Sequence, residues 1–276
     1  MNTVDLYIVT AGDGSRMMSD EPKALARIAD EPCLTATLHQ IAGKFRRVFI
    51  VTGVSKRDQW AMYFQELKAV YPELARPVVN LPIKSGLGDG HATLQGIIAA
   101  EAREGSSIAL EIVVAWGDVF FPNGAIIDEL LSNPRKGSGL LPAVNESYPY
   151  VSLRVNEEMQ CLSAEFSKAG EQDLVGFHDQ SVFRFNRQRL RASLCDLHNA
   201  LWKNGRYITP GGELSLLYTF HQLYNAGDPA YVYETKYPTL SFNTRKEVAA
   251  IEQVMRTGLE AGFRGDLEGA KPATDG

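Results

Sequence analysis

The sequence predicts an α/β fold in which a mostly parallel sheet is covered by helices on both faces, with a substrate lobe of mixed strands. Three observations carry this. Apolar runs of four to six residues alternate with segments of helical periodicity through the first half of the chain, and doubly buried strands read as such continuous runs. Glycine-containing or polar turns follow these runs, at the strand ends where sheets of this kind bind ligands. The second half changes to short strands joined by polar turns.

The elements follow in order. Leu6 to Val9 reads as a buried strand, and Leu34 to Ala42 as a helix with Leu34, Leu38 and Ile41 on one face. Val48 to Thr52 is a second strand ending at Gly53, and Asp58 to Val70 a helix with Trp60, Phe64 and Leu67 spaced by three to four. Pro77 to Asn80 is a short strand, His91 to Arg103 a helix after a glycine-rich turn, and Ile112 to Trp116 a strand ending at Gly117-Asp118. In the second half, 139–142, 151–155, 161–166 and 181–185 read as strands. Helices are expected over 187–202 and 213–225, a strand over 231–234 and a late helix over 246–257. The expected organisation is a single domain over 1–263, with a nucleotide-binding half to about residue 135 and an acceptor-binding half after it. Residues 264–276, rich in Gly, Asp, Lys and Pro without apolar periodicity, read as a mobile tail.

Composition narrows the class. The chain has 276 residues, a net charge of -5 and no dense Lys/Arg tract, which argues against a nucleic-acid partner. Cys33, Cys161 and Cys195 are odd in number and lack metal-ligand spacing, as expected of reduced thiols in a cytoplasmic protein. No secretory leader is read at the N-terminus, and no apolar run approaches the roughly 18 residues of a membrane span.

The most informative segment is Val9-Thr10-Ala11-Gly12-Asp13-Gly14-Ser15-Arg16-Met17, followed by Pro22-Lys23. A buried strand empties into a glycine turn, whose backbone N–H groups can approach an anion closely. Arg16 and Lys23 add positive charge, which suits a nucleotide triphosphate. A dinucleotide fingerprint needs G-x-G-x-x-G, but Met17 holds its third glycine position, and the P-loop pattern is also absent. The competing reading is a structural turn with incidental charges.

The stretch A-G-x-G-[ST]-R-M with P-K resembles the signature of the sugar-phosphate nucleotidyltransferases, or nucleotide-sugar pyrophosphorylases. Four further segments fall in that family's order. Gly86-Leu87-Gly88-Asp89-Gly90-His91-Ala92 is similar to its G-T-[AG]-x-A loop, closest to the form in N-acetylglucosamine-1-phosphate uridylyltransferases, with Asp89 where Thr is usual. Ile83 stands where uridine-selective relatives tend to carry a base-reading Gln. Trp116-Gly117-Asp118-Val119 resembles the metal motif [YN]-G-D-x. Ser241-Phe242-Asn243-Thr244 is similar to the late D-[VI]-N-[TD] element, with Ser241 replacing its acid. On the acceptor side, Glu165 and Lys168 resemble an E-x-[KP] segment, and Gly212-Glu213-Leu214 the start of G-E-[YF]-x-L-[TP]-D, whose final Asp is absent. Several of these residues also suit structural roles: Asp89 and Asn243 are good helix caps, and a Glu after a strand is commonly solvated. His39, His178, His198 and His221 show no partner spacing and read as surface residues. The aromatic set Tyr218, Phe220, Tyr224, Tyr231 and Tyr233 reads as core packing.

The resemblance implies a Rossmann-like, GT-A-like nucleotidyltransferase fold and a Mg²⁺-dependent enzyme that joins an NTP to a sugar 1-phosphate, forms an NDP-sugar and releases pyrophosphate. It implies that Arg16 and Lys23 are catalytic, that Ala11, Gly12, Asp13, Gly14, Ser15, Gly88, Asp89 and Gly90 bind the nucleotide, that Glu165, Lys168 and Glu213 bind the acceptor, and that Asp118 and Asn243 hold the metal. The donor is expected among UTP, CTP and dTTP and the acceptor among phosphorylated small molecules, with a homo-oligomer left open. No β-helix repeat follows in the sequence, so no fused acetyltransferase is expected. Departures on the acceptor side keep a phosphorylated non-sugar or phosphonate acceptor, used with CTP, as an alternative, beside a non-catalytic nucleotide-binding homologue and a dehydrogenase.

Overall fold

A computed structural model describes residues 3–12, 21–28, 30–84, 86–147, 149–166, 175–242, 247–249 and 251–253. The strands are β1 (Asp5–Val9), β2 (Arg27–Ile28), β3 (Glu31–Pro32), β4 (Val48–Gly53), β5 (Val78–Ile83), β6 (Glu111–Trp116), β7 (Val119–Phe120), β8 (Gly139–Ser147), β9 (Val151–Val155), β10 (Cys161–Phe166), β11 (Val175–Asp179), β12 (Val182–Asn186), β13 (Trp202–Lys203), β14 (Arg206–Tyr207), β15 (Ala230–Glu234) and β16 (Leu240–Ser241). The helices are α1 (Cys33–Ile41), α2 (Arg57–Val70), α3 (Pro72–Ala75), α4 (Asp89–Glu104), α5 (Ala125–Ser132), α6 (Arg187–Leu201) and α7 (Tyr218–Asn225).

One mixed sheet of ten strands organises the molecule, in the order β10-β9-β11-β8-β12-β6-β1-β4-β5, with β15 alongside β8. The four strands β6, β1, β4 and β5 are mutually parallel. From β12 outward the pairing is antiparallel, except that β15 runs parallel to β8. The change of pairing falls between β6 and β12, within one continuous sheet.

Alternation along the strands fills both faces. Tyr7 and Val9 pack with Ile97, Leu190, Leu194 and Phe220 from α4, α6 and α7. Leu6 and Ile8 pack with Leu38, Trp60, Tyr63 and Leu130 from α1, α2 and α5. Each fully buried Leu, Ile or Phe contributes about 1.5–3 kcal/mol relative to an exposed one, so this three-layer core fixes the strand ends firmly. Asp5, a carboxylate sunk in the core at 0% exposure, accepts two hydrogen bonds from Arg46 and one from the Ala109 N–H.

Three expectations change. The helix over 213–225 begins only at Tyr218, because the segment before it is held in an irregular path by residues 87–90. Residues 175–179 form a strand, and 125–132 form a helix that seats Ile126, Ile127 and Leu130 in the core. The late helix is present at 247–249 and 251–253; residues 254–276, including the expected tail, lie outside the described residues.

Candidate active site

The parallel strands deliver their carboxyl ends to one edge. Val9 is in register with Trp116 and Val51, and Gly53 with Ile83. The turns after β1, β5 and β6 therefore leave the sheet side by side. After β1, Thr10 donates its hydroxyl to the Val51 carbonyl at 2.8 Å. The Gly117 N–H donates to the Val9 carbonyl at 2.9 Å, and a Cβ at Gly117 would strike Thr10. Glycine at 117 is thus what lets the β6 turn lie against the β1 turn and set Asp118 beside it.

Lys23 reaches the same place from the other direction. Its helical turn (Lys23–Leu25) is closed by a hydrogen bond from the Leu25 N–H to the Pro22 carbonyl at 2.8 Å, and Ala24 and Leu25 are buried. The ammonium of Lys23 donates to Asp118 Oδ2, and the pair stays partly open, with the two side chains 16% and 32% exposed. Nζ also lies 5.5 Å from the centre of the Phe242 ring. Phe242 in turn donates its N–H to the Asp118 carbonyl at 3.2 Å, because β16 pairs with β7. Residues at 23, 118 and 242, far apart in sequence, converge here. Of the expected site residues, Asp13, Gly14, Ser15, Arg16, Lys168 and Asn243 lie outside the described residues.

Among the described residues no group of three or more His, Cys, Asp or Glu side chains could hold a metal ion. A single accessible carboxylate is nevertheless a fitting partial site for Mg²⁺, which takes oxygen ligands and usually combines one or two carboxylates with phosphate oxygens. The nearby Cys33 is no competitor. Burial pushes its thiol up to about 12, a hydrogen bond with Thr37 opposes this, and the Asp118 charge adds to the rise.

The glycine turn before α4 departs from expectation. A Cβ on Gly88 would collide with Leu214 and Glu213, and one on Gly90 would lie 2.7 Å from the Leu216 nitrogen. The close approach these glycines permit is made by the chain's own segment 213–216. Gly88 also has a φ of 95°, a conformation that glycine adopts readily. The Asp89 carboxylate neither caps α4 nor faces outward: it accepts the Leu216 N–H at 2.6 Å. Protein packs densely around it although part of its surface stays open, and desolvation pushes it up to about 6 against its hydrogen bonds to Leu216, Ser215 and Gly90. Asp89 Oδ1 is thus engaged by the chain's own backbone.

The acceptor-side candidates divide. Glu213 sits against Gly88. Glu165 is on β10, held by Arg154 at 2.7 Å with both side chains roughly half exposed. Its neighbours Ala164 and Phe166 face α7, so Glu165 points to the opposite side of its strand.

Two histidine groups were not legible in the sequence. His91 and His198 each place Nδ1 against the Tyr207 hydroxyl, at 2.6 and 2.7 Å, with the Trp202 ring stacked on both imidazoles. His178 pairs with Glu146 at 2.6 Å. Desolvation lowers the His178 pKa, but Glu146 and Asp179 outweigh it and raise it overall. His198 and His178 are thus partnered rather than bland surface residues; the partners are 9 and 32 residues away. Of the aromatic set, Phe220 is core, whereas Tyr224 is 37% exposed.

The family model for the MobA-like NTP transferase domain matches residues 6–184. The chain is 27% identical over 277 aligned residues to the bifunctional protein GlmU of Corynebacterium jeikeium, covering 98% of this chain and 53% of that one. The chain spans about half the length of the GlmU relatives it matches. The fold is shared with the nucleoside-diphosphate-sugar pyrophosphorylase of Vibrio cholerae, at TM-score 0.67 and 13% identity, over 91% of this chain and all of that one. It is shared too with the inositol-1-phosphate CTP transferase of T. maritima, at TM-score 0.66 and 13% identity, over 94% and 98%.

Proposed function

The chain belongs to the MobA-like NTP transferase domain family, and from that premise we propose that it moves a nucleotidyl group from an NTP to a sugar 1-phosphate. The observation that carries the proposal is the Lys23–Asp118 pair at the shared edge of β1 and β6. It sets one cation and one carboxylate at the strand ends, which supports a site for phosphates and a hard cation. An oxygen of the acceptor phosphate attacks the α-phosphorus in line, the bond to the β-phosphate oxygen breaks, and pyrophosphate leaves. No covalent enzyme intermediate is required, and catalysis consists of positioning and charge neutralisation.

Each residue has a task in this scheme. The N–H groups of 12–15 and Arg16 hold the β- and γ-phosphates, and Lys23 neutralises charge gathering on the α-phosphate. Asp118 and Asn243 hold Mg²⁺, which when bound supplies positive charge to the phosphate oxygens. The hydrogen bond from the Phe242 N–H to the Asp118 backbone carbonyl supports Asn243 in that role, since it holds the residue before Asn243 beside Asp118. Gly12 supports the nucleotide reading in another way. Among the described residues no atom lies within 4 Å of a Cβ built on it, and its backbone is not left-handed. The described fold therefore places no demand for glycine at 12, whereas an approaching phosphate does. Glu213 beside Gly88, together with Glu165 and Lys168, serves the acceptor. An NTP donor implies a cytoplasmic setting, and no helix among the described residues is long and apolar enough to cross a membrane.

One observation favours a second reading. Glu165, which would hold sugar hydroxyls, is engaged by Arg154, which suits a phosphorylated acceptor with fewer hydroxyl demands and CTP as the donor. A matrix of UTP, CTP, dTTP, ATP and GTP against sugar 1-phosphates, inositol 1-phosphate, phosphocholine and a phosphonate, read by pyrophosphate release with Mg²⁺, tests both. Turnover with a sugar 1-phosphate supports the first reading, and turnover confined to CTP and a non-sugar acceptor replaces it. Silence across the matrix overturns catalysis.

A further inference from the structure

The segment 213–216 is bound to the turn 87–90 more tightly than two neighbouring loops need be. The Leu214 N–H donates to the Leu87 carbonyl and the Gly90 N–H to the Leu214 carbonyl, both at 2.9 Å. The Leu216 N–H donates to Asp89 Oδ1 at 2.6 Å, across 127 residues of sequence. The two glycines flanking Asp89 close the seam, since any Cβ at 88 or 90 would enter the backbone of 214–216. The segment also folds on itself: Thr209 donates its hydroxyl to the Glu213 carbonyl at 2.7 Å, and the Gly212 N–H reaches the Thr209 carbonyl at 3.0 Å. Next along α4, His91 touches Tyr207 at the start of the same stretch. Four consecutive residues, 88–91, thus dock the chain from 207 to 216.

Asp89 differs in kind from the other contacts. The backbone bonds are open to any sequence, whereas the third needs a side-chain acceptor long enough to reach the Leu216 N–H. An ionised carboxylate makes a stronger bond to an N–H than a neutral acceptor does. Leu216 and Leu217 are buried and lead directly into α7, so this bond fixes where the helix begins and where Glu213 stands relative to Gly88.

We propose that Asp89 is a positioning residue that ties the acceptor loop 212–216 to the nucleotide turn 86–90, so that the walls for the two substrates form one unit. The inference rests on the nucleotidyltransferase reading for its functional consequence, and on geometry alone for the tie itself. It makes Asp89, which replaces the Thr of the resembled motif, a link between donor and acceptor sites rather than a contact to the base.

The test compares Asp89→Ala, which removes the acceptor, with Asp89→Asn, which keeps an amide oxygen for the Leu216 N–H. Deuterium uptake of the intact chain over 211–218 rises in Asp89→Ala and stays at the wild-type level in Asp89→Asn. Unchanged uptake in Asp89→Ala overturns the tie, whatever the enzyme does. With the substrate pair found by the matrix, Asp89→Ala raises KM for the acceptor about tenfold or more, the scale of one lost charge-assisted bond, and leaves KM for the NTP within about threefold. Asp89→Asn returns the acceptor KM to within about threefold of wild type. Equal shifts in both KM values, or none, overturn the coupling. Should Asp89→Ala fail to fold, Asp89→Ser, too short to reach Leu216, takes its place with the same expectations. If no substrate pair turns over, the nucleotidyltransferase reading fails while the uptake result still decides the tie.

Discussion

At the scale of the residue, Lys23 and Asp118 face each other in a pair that stays partly open to solvent. Lys23→Ala and Asp118→Ala should each lower kcat by about a hundredfold or more, in the range seen when one electrostatic contact to a transition state is lost, while thermal melting stays near wild type because both side chains are partly solvated. Wild-type turnover in both variants would remove them from the mechanism. Gly12 gives a complementary signature. Gly12→Ala should leave the midpoint of unfolding unchanged or slightly raised, since Ala constrains the unfolded chain, yet raise KM for the NTP; a variant with wild-type KM denies the close approach of phosphate there. Asp89 carries a pH signature. Its carboxyl is raised to about 6, so the folded chain holds this proton more tightly than the unfolded chain does, and the site's contribution to stability falls as pH rises from about 4 to about 6. Glu213 pushes it the same way. Wild type should therefore lose stability relative to Asp89→Asn over that window in denaturant titrations; parallel curves would contradict it.

At the scale of the element, glycines with similar sequence surroundings do different work. Gly12 faces open space among the described residues, while Gly90 faces the backbone of Ser215 and Leu216. Backbone cannot swing aside as a flexible side chain can. Gly90→Ala should accordingly destabilise the fold by about 1–3 kcal/mol, measured by chemical denaturation, and an unchanged midpoint would mean that the seam is loose. The same seam explains why 213–217 is not helical. Its leucines carry helical spacing, but Leu214 and Leu216 spend their N–H groups on Leu87 and Asp89, leaving helix to begin at Tyr218. Strand β11 escaped the reading for a related reason. Val175 is 69% exposed, and the run is stabilised by pairing with β8 and β9 rather than by apolar alternation.

At the scale of the whole molecule, the parallel strands deliver their carboxyl ends to one edge, and an antiparallel extension continues the same sheet. The described fold has no closed metal cluster, so its stability should not depend on a divalent ion. Chelation with EDTA should abolish turnover while shifting Tm by no more than about 1 °C, less than a 1 kcal/mol loss would cause; a large fall in Tm would point to a structural metal instead. What the sequence determined by itself was local: which runs are buried strands and where glycine-containing turns follow them. Those features depend on nearest neighbours and on strand and helix periodicity, and they survive in any fold that buries the runs. Tertiary structure decided the rest, because it depends on residues that meet only after folding. Lys23 lies 95 positions from Asp118, and Asp89 lies 127 from Leu216. No spacing rule could foresee that two glycines suited to a nucleotide would be filled by the chain's own backbone.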